Sequence, residues 1–108
     1  MWSQGVPQRA LRDGRAWCEQ RGIPFLVVLW PFLQGLGPDR RYPFAKLHAL
    51  VAADCADAGI AFHDVLPSLA GTRDEELWVT PADQHANPRA HALALPAIAA
   101  FVREHTRW

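Results

Sequence analysis

The residues best suited to chemistry lie in one short stretch, WVTPADQHANPRAHAL, residues 78–93. Asp83 and His85 are two positions apart, so in extended backbone their side chains project to the same side. The carboxylate can then accept a hydrogen bond from the imidazole Nδ1, which leaves Nε2 free as a base. Spacing alone leaves three interpretations open: a catalytic acid–histidine pair, a metal site, or a solvated loop before a helix.

The residues that follow this pair predict how it is held. Asn87 is a favourable helix N-cap and Pro88 a favourable first helical residue. His85 is therefore expected just ahead of a helix N-terminus. A metal site would use Asp83, His85 and His91. The six-residue separation of the two histidines matches no usual ligand spacing, so we expect no metal and no other cofactor.

Composition restricts the class of protein. The 108 residues suit one small domain or part of one, and eleven basic residues balance eleven acidic ones without a run of like charge. We therefore expect no nucleic-acid or anionic-membrane partner. Cys18 and Cys55 are isolated and are predicted to be reduced core residues. The apolar runs are too short to cross a bilayer, and no signal peptide is evident, so the default localisation is cytoplasmic.

Hydrophobic periodicity and Gly and Pro positions predict alternating elements. Helices are expected at 6–22, at 43–60 with His48 on its face, and from Pro88 to His105 with Leu95, Ile98, Phe101 and Val102 buried. Strands are expected at 25–30 and 60–65, with one more brief strand at 77–79. Residues 31–43 and the rest of 68–81 read as loops. Pro96 should bend the last helix.

This order predicts an α/β protein in which two parallel strands are joined by a helical crossover. Both strands are continuously apolar, as in strands buried on both faces of a sheet. Two such strands do not complete a sheet. The chain is therefore expected to find strands in a partner, with self-association through a sheet edge, or to be the back half of a larger domain.

Polar side chains converge on one edge of the predicted sheet. The loop after Trp30, the His63-Asp64 pair and the loop of Asp83 and His85 can all lie beyond the carboxyl ends of the strands. In open parallel sheets, ligands bind at that edge. The sequence therefore predicts a small-molecule site there, with Trp30 either walling a pocket or packing in the core.

The block PADQHANPRAHALALPAIAAFV resembles the C-terminal block of the SGNH (GDSL-type) serine hydrolases. In that family an Asp and a His precede an Asn-containing helix start and a second His. The segments GIPFLVVLWP, PFAKLHALVAADCADAGI and IAFHDVLPSLAG are similar, in order, to later strands and helices of the superfamily. The resemblance implies a flavodoxin-like, three-layer α/β/α fold with a parallel sheet, here without its N-terminal strands. Residues 1–108 would be one domain or the C-terminal part of one.

The resemblance also assigns roles to individual residues. Asp83 would orient His85, and His85 would be the general base in hydrolysis of an acyl ester. Many members place the Asp three residues before the His, where this chain has Ala82. His91 matches the second histidine and Asp64 an acidic residue at the strand end, both with structural roles near the site, as for Asn87.

Other parts of the family's machinery have no counterpart in this sequence. The nucleophile lies in a Gly-Asp-Ser block, and a Gly and an Asn from middle blocks bind the oxyanion; none of these motifs occurs here. Ser3 and Ser68 lack the family's context. Two hypotheses follow: the His–Asp part of a serine ester hydrolase, inactive as an isolated chain, or a non-catalytic binding or assembly module.

Overall fold

The computed structural model describes residues 5–106. It contains four α-helices, two strands and one turn of 3-10 helix, Asp74–Glu76. In chain order they are α1 (Val6–Gln20), β1 (Leu26–Leu29), α2 (Ala45–Asp57), β2 (Ala61–Asp64), α3 (Leu66–Leu69) and α4 (Pro88–His105). The expected alternation of helices and strands is confirmed, and both strands are shorter than expected.

The two strands form a small parallel sheet, and α2 connects them. Their register pairs Val27 with Phe62 and Leu29 with Asp64. The arrangement is a mixed helix and strand fold compatible with the α/β class. Asp64 is the last residue of β2, so its side chain lies at the carboxyl end of the sheet, as expected.

Two hydrophobic clusters flank this sheet. One contains Val51, Cys55 and Ile60, against which Val27 of β1 and Leu11 of α1 pack. The other joins the loops to α3 and α4, and Val28 packs against it. Its buried members are Leu33, Leu36, Val65, Leu69, Leu77, Ala90 and Ala94. Because Val27 and Val28 are consecutive in a strand, they face opposite sides of the sheet. Apolar side chains therefore cover both faces.

Three local expectations are wrong. Leu95 is 62% exposed, because Ala90, Ala94 and Phe101 form the buried face of α4 and Leu95 lies next to that face. Residues 77–79 form no strand, only a single antiparallel bridge between Trp78 and Ala86. The stretch 68–81, read as a loop, also contains the end of α3 and the 3-10 turn.

The expectation that both strands are buried on two faces holds only in part. Every residue of β1 and β2 is half-buried. Leu29 O accepts from Val65 N, so the backbone of Leu29 faces β2. Alternate residues of a parallel strand bond to opposite neighbours, so the backbone of Val28 faces the outer edge of β1. Within residues 5–106 no third strand pairs there.

The dimensions of the chain agree with an open sheet. The Cα radius of gyration is 15.3 Å, whereas a compact domain of this length has about 13 Å. The helix α1 contains no buried residue. Cys18, expected in the core, is half-buried, while Cys55 is fully buried, and burial raises the pKa of its thiol. In the described part of the chain, no helix has the length and apolar character needed to cross a membrane.

The outer edge of β1 leads to a prediction about association. Unpaired amides and carbonyls beside apolar side chains invite pairing with another chain. We expect the isolated chain either to self-associate through this edge or to show weak amide protection in β1. Sedimentation velocity at tens of micromolar and hydrogen exchange measure these two outcomes. A monomer with strongly protected β1 amides would contradict the prediction.

A pair of proline variants tests which edge is involved. Val28→Pro removes an outward-facing amide and should abolish self-association while β1 still pairs with β2. Val27→Pro removes an amide that faces β2 and should destabilise the fold instead. Equal effects of the two variants on association and stability would show that the outer edge of β1 is not the contact.

Candidate functional site

A tight turn carries Asp83 and His85. Asp83 N donates to Thr80 O at 3.1 Å, and Pro81 occupies the second position of this four-residue turn. Thr80 Oγ1 accepts a second bond from Asp83 N at 2.9 Å. On the two arms, Val79 N donates to His85 O and Asn87 N donates to Leu77 O. The pair therefore lies on a short hairpin whose backbone bonds are largely satisfied.

The geometry of the pair matches the expectation from spacing. His85 Nδ1 lies 2.5 Å from Asp83 Oδ1, and the backbone N–H of His85 donates to the same carboxylate oxygen at 3.2 Å. The His85 side chain is 92% exposed and the Asp83 side chain 51%. None of residues 5–106 bonds to His85 Nε2. The imidazole is therefore oriented by a carboxylate and presents its other nitrogen to solvent.

The electrostatics of Asp83 follow from these contacts. The side-chain hydrogen bond from His85 is the main factor that lowers the pKa of the Asp83 carboxyl, and the backbone N–H of His85 lowers it further. Both bonds favour the charged carboxylate. Asp83 is thus held as an acceptor, which is the role of an orienting carboxylate beside a base.

Asn87 fixes where the hairpin ends and α4 begins. Its Oδ1 accepts from Ala90 N at 2.9 Å, which confirms the predicted N-cap. Its Nδ2 donates to Glu76 O at 2.8 Å and to Trp78 O at 2.9 Å. One side chain therefore joins both arms of the hairpin to the first turn of α4, and it places His85 two residues before the cap.

His91 and Trp30 meet at the start of α4. Their ring centroids are 5.2 Å apart in an edge-on arrangement. Trp30 directly follows β1 and is half-buried, whereas His91 is exposed. The contact brings the carboxyl end of β1 to the first turn of α4. The sequence-based expectation that both residues lie near the site is consistent with this contact.

The loop after β1 is anchored to the hairpin. Gln34 Nε2 donates to Gln84 Oε1 at 2.6 Å, and Gln84 lies between Asp83 and His85. Trp78 Nε1 donates to Leu33 O at 2.7 Å. These two contacts bring the loop after β1 beside the Asp83–His85 turn, as the convergence of polar segments predicted.

A second Asp–His pair, which the sequence analysis missed, is buried at the end of β2. His48 Nδ1 lies 2.9 Å from Asp64 Oδ1, and His48 Nε2 lies 3.0 Å from the Tyr42 hydroxyl. His48 is only 5% exposed. The Tyr42 hydroxyl accepts from Phe32 N at 3.0 Å. Because His48 Nδ1 donates to the Asp64 carboxylate, Nε2 of a neutral His48 accepts the proton of the Tyr42 hydroxyl. Burial raises the pKa of Tyr42 above its ordinary value. Both nitrogens of His48 are occupied, which gives this pair a structural role.

Asp74 was also missed, because it lies in the stretch 68–81, which reads as a loop. Its carboxylate is buried and accepts from Gly35 N at 2.9 Å and Leu36 N at 2.8 Å. Gly35 has φ 78°, and a Cβ there would lie 3.1 Å from Arg41 O. Asp74 therefore holds a turn that only glycine fits easily.

The remaining candidates are not joined to this site. Ser68 lies on α3, is half-buried, and donates its backbone N–H to Val65 O. Ser3 lies outside the described residues. Between residues 5 and 106 no group of three His, Cys, Asp or Glu side chains could hold a metal ion, so His91 does not join Asp83 and His85 as a ligand set.

Comparison with known proteins gives no match for this chain among protein-family models, curated proteins or solved structures.

The bonds of Asn87 lead to a prediction about stability. Asn87→Ala removes the cap acceptor and two donated bonds, and we expect a loss of about 2 kcal/mol in the free energy of unfolding. Asn87→Ser keeps a cap acceptor but not the two donors, and should lose less. Urea titration measures both variants. An unchanged midpoint for Asn87→Ala would mean that α4 does not depend on this side chain.

The contacts of Asp83 lead to a prediction about titration. In His85→Ala the pKa of Asp83 should rise towards the ordinary carboxyl value, in part only, because the backbone N–H at position 85 remains. The stabilisation from Asp83 is present above the ordinary carboxyl pKa and is lost as pH falls through the lowered one. Carboxyl ¹³C NMR measures this pKa, with His105→Ala as the control. The same pKa in His85→Ala as in the unmodified chain would contradict the assigned pairing.

Proposed function

We propose that this chain supplies the Asp–His part of an SGNH-type serine ester hydrolase. The observation that carries the proposal is the Asp83–His85 pair, in which a carboxylate orients Nδ1 and leaves Nε2 exposed. Its position next to the N-cap of α4 agrees with the sequence block that resembles the family. The proposed fold is correspondingly a three-layer α/β/α domain with a flavodoxin-like parallel sheet.

The chemistry assigned to the pair is general acid–base catalysis. A serine hydroxyl attacks the carbonyl carbon of a small-molecule ester while His85 Nε2 removes its proton. The tetrahedral intermediate collapses, and the leaving alcohol takes that proton from His85. Water then attacks the acyl-serine while His85 removes a proton from it, and the second intermediate collapses to release the acid as the serine oxygen takes that proton back from His85. Asp83 keeps the imidazole oriented and stabilises the imidazolium in each step.

The nucleophile and the oxyanion donors are assigned to segments that are not part of these 108 residues. Of the two serines in the sequence, Ser68 is on α3 and makes no hydrogen bond to His85. A complementary segment would add strands at the outer edge of β1, where the sheet is open. This assignment explains why the strands are apolar and yet half-buried.

A second candidate function is a non-catalytic binding or assembly module. The half-buried strands and the unpaired edge of β1 favour it independently of His85. One simple observation distinguishes the two functions, namely the coding sequence upstream of Met1. An in-frame Gly-Asp-Ser block after a predicted strand would favour the hydrolase. A start codon with its own ribosome-binding site would favour the module.

The first prediction from this proposal is that the isolated chain has negligible esterase activity. Loss of a single oxyanion donor already costs about 10²–10³ in rate, and here the nucleophile is also absent. Hydrolysis of p-nitrophenyl acetate should be no faster than with free imidazole at the same concentration. Robust turnover that is lost in both His85→Ala and Ser68→Ala would contradict it.

The proposal itself is tested on the longest reading frame that contains this chain. A fluorophosphonate probe should label one serine of that protein, and labelling should be lost in His85→Ala. His105→Ala is the matched control, because it removes a histidine near the end of α4 and should leave labelling unchanged. No labelling of the protein, or labelling that survives His85→Ala with the fold intact, would overturn the proposed function.

A further inference from the structure

A cavity of about 850 Å³ opens at the start of α2. It is lined by Arg40, Arg41, Tyr42, Pro43, Ala45 and Lys46. Three of these six residues are cations, and no carboxylate lines the space. The chain as a whole has a formal net charge of zero, so this concentration of positive charge is local. A cavity of this size accommodates a small organic ligand.

The cations at this cavity are not neutralised within the protein. No ion pair in the structure of residues 5–106 involves Arg40, Arg41 or Lys46. The contrast is a neighbouring cavity, where Arg40 and Arg73 face Asp39, Asp74 and Glu75, so that cations and carboxylates are mixed. Of these two cavities, the one at the start of α2 therefore leaves its cations available to an external anion.

The start of α2 adds to the positive potential of this cavity. Its N-cap residue, Phe44, provides no side-chain acceptor, and no acidic residue lies in the first turn. The first amides of the helix therefore lack a side-chain partner, and the helix dipole has the same sign as the cations.

Exposed aromatic rings lie beside the cations. Phe32 is 60% exposed and Phe44 is 40% exposed, and their ring centroids are 4.9 Å apart. Phe44 also contacts Tyr42, with centroids 5.9 Å apart. Because the Tyr42 hydroxyl is already bonded to His48 and Phe32, Tyr42 offers the cavity its ring. Tyr42 thus lines the cavity together with the cations, and Phe44 and Phe32 continue from its ring outside the lining.

We propose that this cavity binds a small organic anion that carries both a phosphate or carboxylate group and an aromatic or apolar group. Arg41 and Lys46 hold the anionic group, since guanidinium and ammonium groups form strong charge-assisted bonds to such oxygens. Arg40 contributes less, because it also borders the mixed cavity. The ring of Tyr42 receives the apolar group, and Phe44 supports that ring from beside the cavity. Asp83 and His85 do not line the cavity, so the proposal is independent of the proposed hydrolase function.

The test uses the chain labelled with ¹⁵N and three probes at low ionic strength. Phenyl phosphate carries both chemical groups, inorganic phosphate only the anion, and phenol only the ring. We expect phenyl phosphate to shift the amides of residues 40–46 saturably and to bind about ten-fold more tightly than either partial probe. Equal affinity for all three probes, or shifts scattered over the chain, would overturn the proposal.

Charge variants provide the second part of the test. The double variant Arg41→Gln, Lys46→Gln should weaken phenyl phosphate binding by about ten-fold or more, whereas Arg103→Gln on α4 should leave it unchanged. All three residues are exposed. Amide shifts of β1 and β2 that match those of the unmodified chain would confirm that the variants keep the fold. Equal weakening by Arg103→Gln would show a non-specific charge effect and overturn the site. Tight binding of a single-stranded oligonucleotide without binding of phenyl phosphate would overturn it in favour of a nucleic-acid surface.

Discussion

The carboxylate of Asp64 joins three parts of the chain where the sheet ends. Its Oδ1 accepts from His48 Nδ1 on α2 and from Leu66 N at the start of α3. Through His48 the contact continues to the Tyr42 hydroxyl and thus to the loop after β1. His48 is buried, and an unpaired polar group in that position costs much more free energy than the bond contributes. The loops around the site keep their positions only while this series of bonds is complete.

The two Asp–His pairs show how burial decides the role of the same contact. In both, a carboxylate oxygen faces the imidazole Nδ1. In the buried pair the Tyr42 hydroxyl occupies Nε2, so His48 has no nitrogen left for a substrate. His85 is almost fully exposed and keeps Nε2 open. The buried pair supports the end of the sheet, and the exposed pair is the one with a nitrogen accessible from solvent.

The sequence correctly predicted those features of the structure that depend only on residues close together in the chain. The Asn87 cap and the Asp83–His85 contact follow from spacings of two to three residues, and helix and strand order follows from periodicity. The His48–Asp64 bond joins residues sixteen positions apart, and nothing in the α2 sequence marks His48 as buried. Leu95 was wrongly predicted to be buried, because tertiary packing decides which face of a helix turns towards the core. Strand burial was overestimated because an apolar run indicates that a strand favours burial, but not that flanking strands are present to bury it.

The Asn87-Pro88 sequence has a consequence for the chemical ageing of this protein. Asparagine commonly deamidates when the backbone nitrogen of the next residue attacks the side-chain amide carbon and closes a succinimide ring. Proline has no N–H to deprotonate, so that route is blocked at Asn87. Deamidation to aspartate would remove the donor that serves Glu76 O and Trp78 O. The residue after the cap therefore protects the amide that holds the hairpin against the helix.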